Sequence, residues 1–203
     1  MASILDFLDT EKGKEFIQSS SKEVNESPEK VKSALGMALP MIIGAMKKNT
    51  DSPEGARQLN SELDKEKHDG SVLDKISMGS LSGLMGEGSG ILSHVLGGSQ
   101  SKIASAVGSA IGMDASKVEK LLQMAAPVVM GILGQQKRKD NVQSEGGISD
   151  LVGSVLGSNS SHDQSMLETF MDSDKGGKIA GDVAGKIFGG KGKSKGLGDF
   201  FKG

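Results

Sequence analysis

Two similar apolar stretches decide the fold: residues 31–45 (VKSALGMALPMIIGA) and residues 118–132 (VEKLLQMAAPVVMGI). Their apolar residues recur every three to four positions, the spacing that places side chains on one face of an α-helix. Because both stretches are apolar around almost the whole helix, we expect them to form buried central helices. The core residues predicted on this basis are Met37, Met41, Met124 and Val128.

The two stretches belong to an internal repeat, which is the first feature to seek in an unknown sequence. A shift of 87 residues places residues 37–40 (MALP) on residues 124–127 (MAAP), and further matches follow in the same order. One helical unit cannot cover its own apolar face, so two units are expected to bury that face together. We predict a first unit at 1–87, a second unit at 88–174 and a tail at 175–203.

The signals for helix ends are also repeated. Ser-Pro-Glu at 27–29 and at 52–54 is typical of a capped helix start, and Asp114 offers a similar cap to the second central helix. Pro40 and Pro127 lie within the central stretches and are predicted to bend or split them. No segment alternates between polar and apolar residues, so an all-α fold is expected.

A series of short motifs resembles the bacterial YidB-like family, catalogued as domain of unknown function 937. The motifs are ILxxVLGG at 91–98, GMD at 112–114, MAAP at 124–127, EGG at 145–147 and SPEGAxxL at 52–59. The resemblance extends over most of the chain. It implies a small all-α, homeodomain-like fold. With the internal repeat, we therefore expect a tandem pair of such helical bundles, followed by an amphipathic tail. The resemblance implies no activity, because none is assigned to the family.

The tail differs from the rest of the chain in charge and pattern. Residues 175–203 contain seven lysines and two aspartates, whereas the remainder of the chain is acidic. An apolar stripe at helical spacing is followed by a Gly/Lys-rich stretch and two phenylalanines. Such a segment is predicted to dock on the protein itself or on a sister subunit, or else to lie on an anionic membrane surface. The residues predicted to make this contact are Ile179, Val183, Ile187, Phe188, Phe200 and Phe201.

Two histidines suggest a different chemistry. His68 precedes Asp69, and His162 precedes Asp163, and imidazole and carboxylate groups are common metal ligands. A metal site through His68 and His162 is therefore one hypothesis. The alternative is that the aspartates cap the helices that follow, with the histidines in exposed loops.

Glycine-rich and basic segments give weaker signals. Gly86-x-Gly88-x-Gly90 lacks the spacing of a dinucleotide-binding loop and is interpreted as flexible linker. The cluster at 137–139 (KRK) is interpreted as a solvated helix end. An acidic body without Tyr or Trp disfavours nucleic-acid binding.

These observations favour a non-enzymatic interaction or self-assembly protein, with itself or another protein as partner. No cofactor, resident metal or small-molecule substrate is expected. The alternatives are a peripheral membrane protein using the tail, and a metal-binding protein using His68 and His162. The chain has no cysteine and no recognisable secretion signal, so a cytoplasmic location is predicted.

Overall fold

The computed structural model describes residues 3–77 and 81–156, and the predictions made for the tail and for His162 lie outside this part. Within the described residues the backbone forms helices and contains no strand, which confirms the all-α prediction. The helices are α1 (Ile4–Phe7), α2 (Glu11–Val24), α3 (Pro28–Thr50), α4 (Pro53–Leu63), α5 (Val72–Ser77), α6 (Leu81–Val95), α7 (Gln100–Ile111), α8 (Ala115–Lys139) and α9 (Glu145–Leu156). Short 3-10 turns lie at Glu66–His68 and Gly97–Ser99.

The helix starts are where the capping signals place them. The Ser52 hydroxyl accepts a hydrogen bond from the Gly55 backbone N–H at 3.1 Å. The Asp114 carboxylate accepts one from the Ser116 N–H at 2.8 Å, and Ser27 caps α3 in the same way. These bonds satisfy backbone donors that the first helical turn leaves without a partner. The predicted caps are therefore confirmed.

Helices α2 and α7 both end at a residue in the left-handed conformation. Asn25 ends α2 with φ of 50°, and Gly112 ends α7 with φ of 66°, both in the left-handed region. Asparagine and glycine are the residues that adopt this conformation most readily at a helix end. Each left-handed residue is followed within three residues by the start of a central helix, α3 or α8.

The central helices are not split at their prolines. Helix α3 continues through Pro40, and α8 continues through Pro127, so of the predicted bend or split the split does not occur. An internal proline removes one backbone hydrogen bond and crowds one carbonyl. Burial of apolar side chains on both sides of each proline offsets this cost.

The core runs through both predicted units. Met37, Met41, Met124 and Val128 are all at most 3% exposed, and they belong to one cluster that extends from Ile4 to Leu156. Helix α6 packs along α8, and α9 packs along α3 and α4. Residues 87 and 88, where the sequence divides the two units, both lie within α6.

Candidate functional site

A cleft of about 1040 Å³ lies between α4 and α6. Its floor is apolar, because Met46 from α3 and Met130 from α8 close it from below. Leu59 on α4 and Ile91 on α6 are half-buried and line the walls. Both central helices thus contribute to one concave surface that the helices α4 and α6 border.

A tight corner between α3 and α4 positions the first wall. Gly55 lies so close to the preceding chain that a Cβ atom added to it would stand 1.9 Å from the Asn49 carbonyl oxygen. Only glycine allows this approach. The cap by Ser52 and the fixed φ of Pro53 then start α4 directly after the corner. The Ser-Pro-Glu-Gly sequence therefore sets the direction of the α4 wall.

Glycines shape the second wall. Gly86 and Gly90, four residues apart on α6, both line the cleft, and a Cβ atom added to either would meet nothing within 4 Å. Gly88 faces the other way, and a Cβ there would stand 1.7 Å from the Gln123 carbonyl oxygen on α8. The interpretation of these glycines as flexible linker is wrong, because all three are helical. One glycine lets α6 contact α8, and two leave the cleft lined by bare backbone.

Polar side chains link the elements around the cleft. The His94 Nε2 lies 3.1 Å from the Gln58 Oε1, which joins α6 to α4. The Asn49 side-chain amide donates to the Val95 carbonyl at 3.3 Å, which joins α3 to the end of α6. The Gln58 amide also donates to Glu54 at 3.3 Å. These contacts hold the walls apart at a defined spacing.

The charges at the lower rim are paired within the protein. Lys65 and Glu62 lie 2.5 Å apart, and Lys67 and Glu87 lie 3.1 Å apart. The hydrogen bond from Lys65 lowers the pKa of the Glu62 carboxyl below its usual value. The Glu87 Oε1 is near the Lys67 ammonium but makes no hydrogen bond of good geometry. At this lower rim, a ligand would therefore find lysines that already have carboxylate partners.

His68 is buried rather than exposed, so its predicted place in an exposed loop is wrong. It lies on the 3-10 turn after α4 and is 1% exposed, and neither ring nitrogen has a hydrogen-bond partner. Its Nε2 is 4.0 Å from the Glu62 carboxylate. Burial, together with Lys67, lowers the pKa of the imidazole. The carboxylate of Asp69 accepts from the Ser71 N–H at 2.7 Å. This bond closes a turn just before α5, which begins at Val72, and does not reach the N–H groups of the helix itself.

Metal binding at His68 finds no support in this environment. Over residues 3–77 and 81–156, no three His, Asp or Glu side chains are grouped so that they could hold a metal ion. His162, the second proposed ligand, lies outside the described residues. The backbone of His68 lies close against α8, where a Cβ atom on Gly134 would stand 1.8 Å from the His68 carbonyl oxygen.

The basic end of α8 holds the α4–α5 connection in place. The Arg138 guanidinium donates to the carbonyls of His68 at 2.9 Å, Leu63 at 3.2 Å and Lys65 at 3.3 Å. Lys137 is 2% exposed and is paired with Asp64. The interpretation of this cluster as a solvated helix end is therefore wrong for Lys137. Arg138 is exposed, as that interpretation expects, although its guanidinium group binds these carbonyls. Their contacts link the first and second halves of the chain beside the cleft.

The cleft residues were not singled out from the sequence. Gly86 and Gly90 could have been noticed, because glycines four residues apart lie on the same face of a helix and leave that face without side chains. No sequence pattern marks Leu59 and Gln58 as cleft residues, since they line the cleft only because α6 crosses in front of α4. The tail residues proposed for protein contact lie outside the described residues, and their contacts stay predictions.

Family membership follows from the match to a known domain. A model of the family described as Bacterial protein of unknown function (DUF937) matches residues 6–136. The chain belongs to this DUF937 family. The matched range begins in α1 and ends near the end of α8, so it includes the whole cleft of this DUF937 protein. No curated protein and no solved structure matches the chain.

Among the residues that the structure describes, no helix is both long enough and apolar enough to pass through a bilayer.

Proposed function

We propose that this DUF937 protein is a non-enzymatic interaction protein that binds an apolar polypeptide segment in the cleft between α4 and α6. The observation that carries the proposal is the wall formed by Gly86 and Gly90. Helix α6 already packs closely against a helix backbone on its Gly88 side. The same helix presents bare backbone on its cleft side, where a second polypeptide could approach equally closely.

The floor and walls suit an apolar helix better than a charged ligand. Leu59, Ile91 and Val95 are half-buried around the buried methionines of the floor. Flexible, polarisable methionines adapt to partner side chains of different shape. Amphipathic helices bind in grooves of this kind through apolar side chains at helical spacing. The partner is either a second copy of the chain or another protein that presents such a helix.

Site-specific photo-crosslinking tests the proposal in the cells that produce the protein. A photoreactive amino acid at Leu59 places the probe inside the cleft, and the same amino acid at Gly83 places it on α6 outside the cleft, where Gly83 is exposed. We expect polypeptide adducts from position 59 and none from position 83. The adduct mass distinguishes self-association from binding to another protein.

A blocking variant makes the same test sharper. Gly90→Leu adds a side chain on the cleft side of α6, and its Cβ atom would stand in open space with nothing within 4 Å. Gly83→Leu is the matched control on the same helix. We expect Gly90→Leu to abolish the adducts at position 59 and Gly83→Leu to leave them. Adducts that survive Gly90→Leu, or their complete absence from the wild-type probe, would contradict binding in the cleft.

A further inference from the structure

The methionine floor of the cleft is almost inaccessible in this structure. Met46 and Met130 line the cleft, yet they are only 1% and 3% exposed. Leu59 and Ile91, on the walls above them, are half-buried. A partner helix that contacts the floor must therefore insert its side chains between α4 and α6, and the two walls must separate to admit them.

One polar bridge joins the walls near the C-terminal end of α6. The His94 Nε2 on α6 lies 3.1 Å from the Gln58 Oε1 on α4, and both residues border the cleft. Both are also exposed, whereas the floor residues are buried. The bridge therefore crosses the cleft on its solvent side.

A second bridge joins α6 to the turn that follows α4, at the other end of the cleft. The Lys67 Nζ lies 3.1 Å from the Glu87 Oε1, and the two side chains are 45% and 29% exposed. An ion pair with this much exposure is weak and is screened by salt. The second bridge can therefore be released at little cost in stability.

The two bridges leave too little room for a helix between them. Glu87 and His94 are seven residues apart on α6, which corresponds to about 10 Å along the helix at roughly 1.5 Å per residue. An α-helix with its side chains is about 10–12 Å across. A partner helix therefore cannot reach the floor while both bridges are formed.

We propose that the structure is the closed form of the cleft, and that the Gln58–His94 and Lys67–Glu87 bridges are latches that must release before a partner helix binds. This latching regulates the binding site proposed above and rests on that proposed function for the partner. The opening of the cleft is a property of the chain alone and can be measured without a partner. A protein that is mostly closed binds more weakly in proportion to its open fraction, so removal of the latches strengthens binding.

Thiol accessibility of the floor measures the opening in the full chain, which has no native cysteine. Met46→Cys places a single thiol on the floor. In the latch-free chain, which carries Gln58→Ala and Lys67→Ala, we expect a maleimide to modify this thiol about tenfold faster, because two weak polar contacts together shift an opening equilibrium by roughly that factor. Met130→Cys, at the second floor position, should respond in the same way.

Matched controls make the measurement specific to the cleft. Gln143→Ala with Lys75→Ala removes the same two side-chain types from exposed positions that do not border the cleft, and should leave the rate unchanged. Met113→Cys, at a position that is 6% exposed and away from the cleft, reports general loosening of the fold. Equal rates at Met46→Cys with and without the latches would overturn the proposal. An equal acceleration at Met113→Cys would overturn it as well.

Photo-crosslinking from position 59 connects the opening to binding. We expect the latch-free chain to give about threefold more polypeptide adduct than the wild type, and the control pair to give the wild-type yield. Equal yields from the latch-free chain and the wild type would refute the role of the latches in binding. Absence of adducts in every background would contradict the proposed function alone, and the thiol rates would then decide whether the latches close the cleft.

Discussion

The central helices α3 and α8 carry the same Met-x-x-Pro pattern, but their surroundings differ. Helix α8 is crossed by α6 at Gln123, and its basic end holds the α4–α5 connection. Helix α3 is open at Gly36, and near its end Lys47 reaches α9 through a hydrogen bond to the Ser149 hydroxyl at 2.6 Å. Similar sequences thus form similar helices, whereas the neighbours of each helix decide what its small residues and cations do.

The largest loss of stability is expected from a substitution where α6 crosses α8. Gly88→Ala places a Cβ atom against backbone on α8, which cannot move aside as a side chain would. We expect the free energy of unfolding to fall by about 3 kcal/mol. Urea denaturation measures this change. Gly83→Ala, on the same helix but in open space, is the control, and an equal loss there would show that the crossing contact is not the cause.

The second effect tests the basic end of α8. Arg138→Ala removes the donor for three backbone carbonyls and should lower the free energy of unfolding by about 2 kcal/mol. The neighbouring Lys139 is exposed, and Lys139→Ala should change stability by less than about 0.5 kcal/mol. If the two variants unfold at the same denaturant concentration, the α4–α5 connection is not held by Arg138.

A smaller change in the free energy of unfolding is expected for glycines in open space, one at the cleft on α6 and one on α3. Gly90→Ala should raise the free energy of unfolding by about 1 kcal/mol, because alanine favours a helix more than glycine does. Gly36→Ala should raise it by a similar amount, since a Cβ atom there also meets nothing within 4 Å. Urea denaturation measures both changes, and a loss of stability in either variant would show that its position is not open.

The smallest expected change in stability is a pH dependence that comes from His68. Burial holds the pKa of His68 in the folded protein below its unfolded value of about 6.5. As the pH falls below about 6.5, the unfolded chain takes up the proton first, so the free energy of unfolding decreases. The loss ends once His68 also titrates in the folded state.

Denaturation curves between pH 8 and pH 5 measure this dependence. His68→Phe, which cannot titrate, should flatten it, whereas His94→Phe should retain the His68 contribution. A pH dependence that is the same in His68→Phe and in the wild type would assign the effect to other groups.

Local chemistry explains what could be predicted from the sequence. The caps at Ser52 and Asp114 depend on one side chain and the next few backbone N–H groups, so their neighbours along the chain suffice. The apolar spacing of the two central stretches likewise needs no tertiary information. The candidate cleft was not predictable in this way, because its walls come from α4 and α6 and its floor from α3 and α8.

Tertiary packing decided the points on which the sequence alone misled. Residues 86–90 form a helix despite three glycines, because Leu84 and Leu92 on the same helix are buried in the core and offset the weak helix propensity. Lys137 is buried because Asp64 and the Asn60 carbonyl, distant in sequence, give its ammonium group partners.

The sequence by itself determined the helical class, the helix starts and the residues of the central core, since each follows from periodicity or from contacts within one turn. Only the tertiary structure decided that His68 is buried, that Gly88 faces α8, and that Gly86 and Gly90 border a cleft. The physical reason is that a small or polar residue has no fixed preference for interior or surface, and the element that crosses it sets its environment.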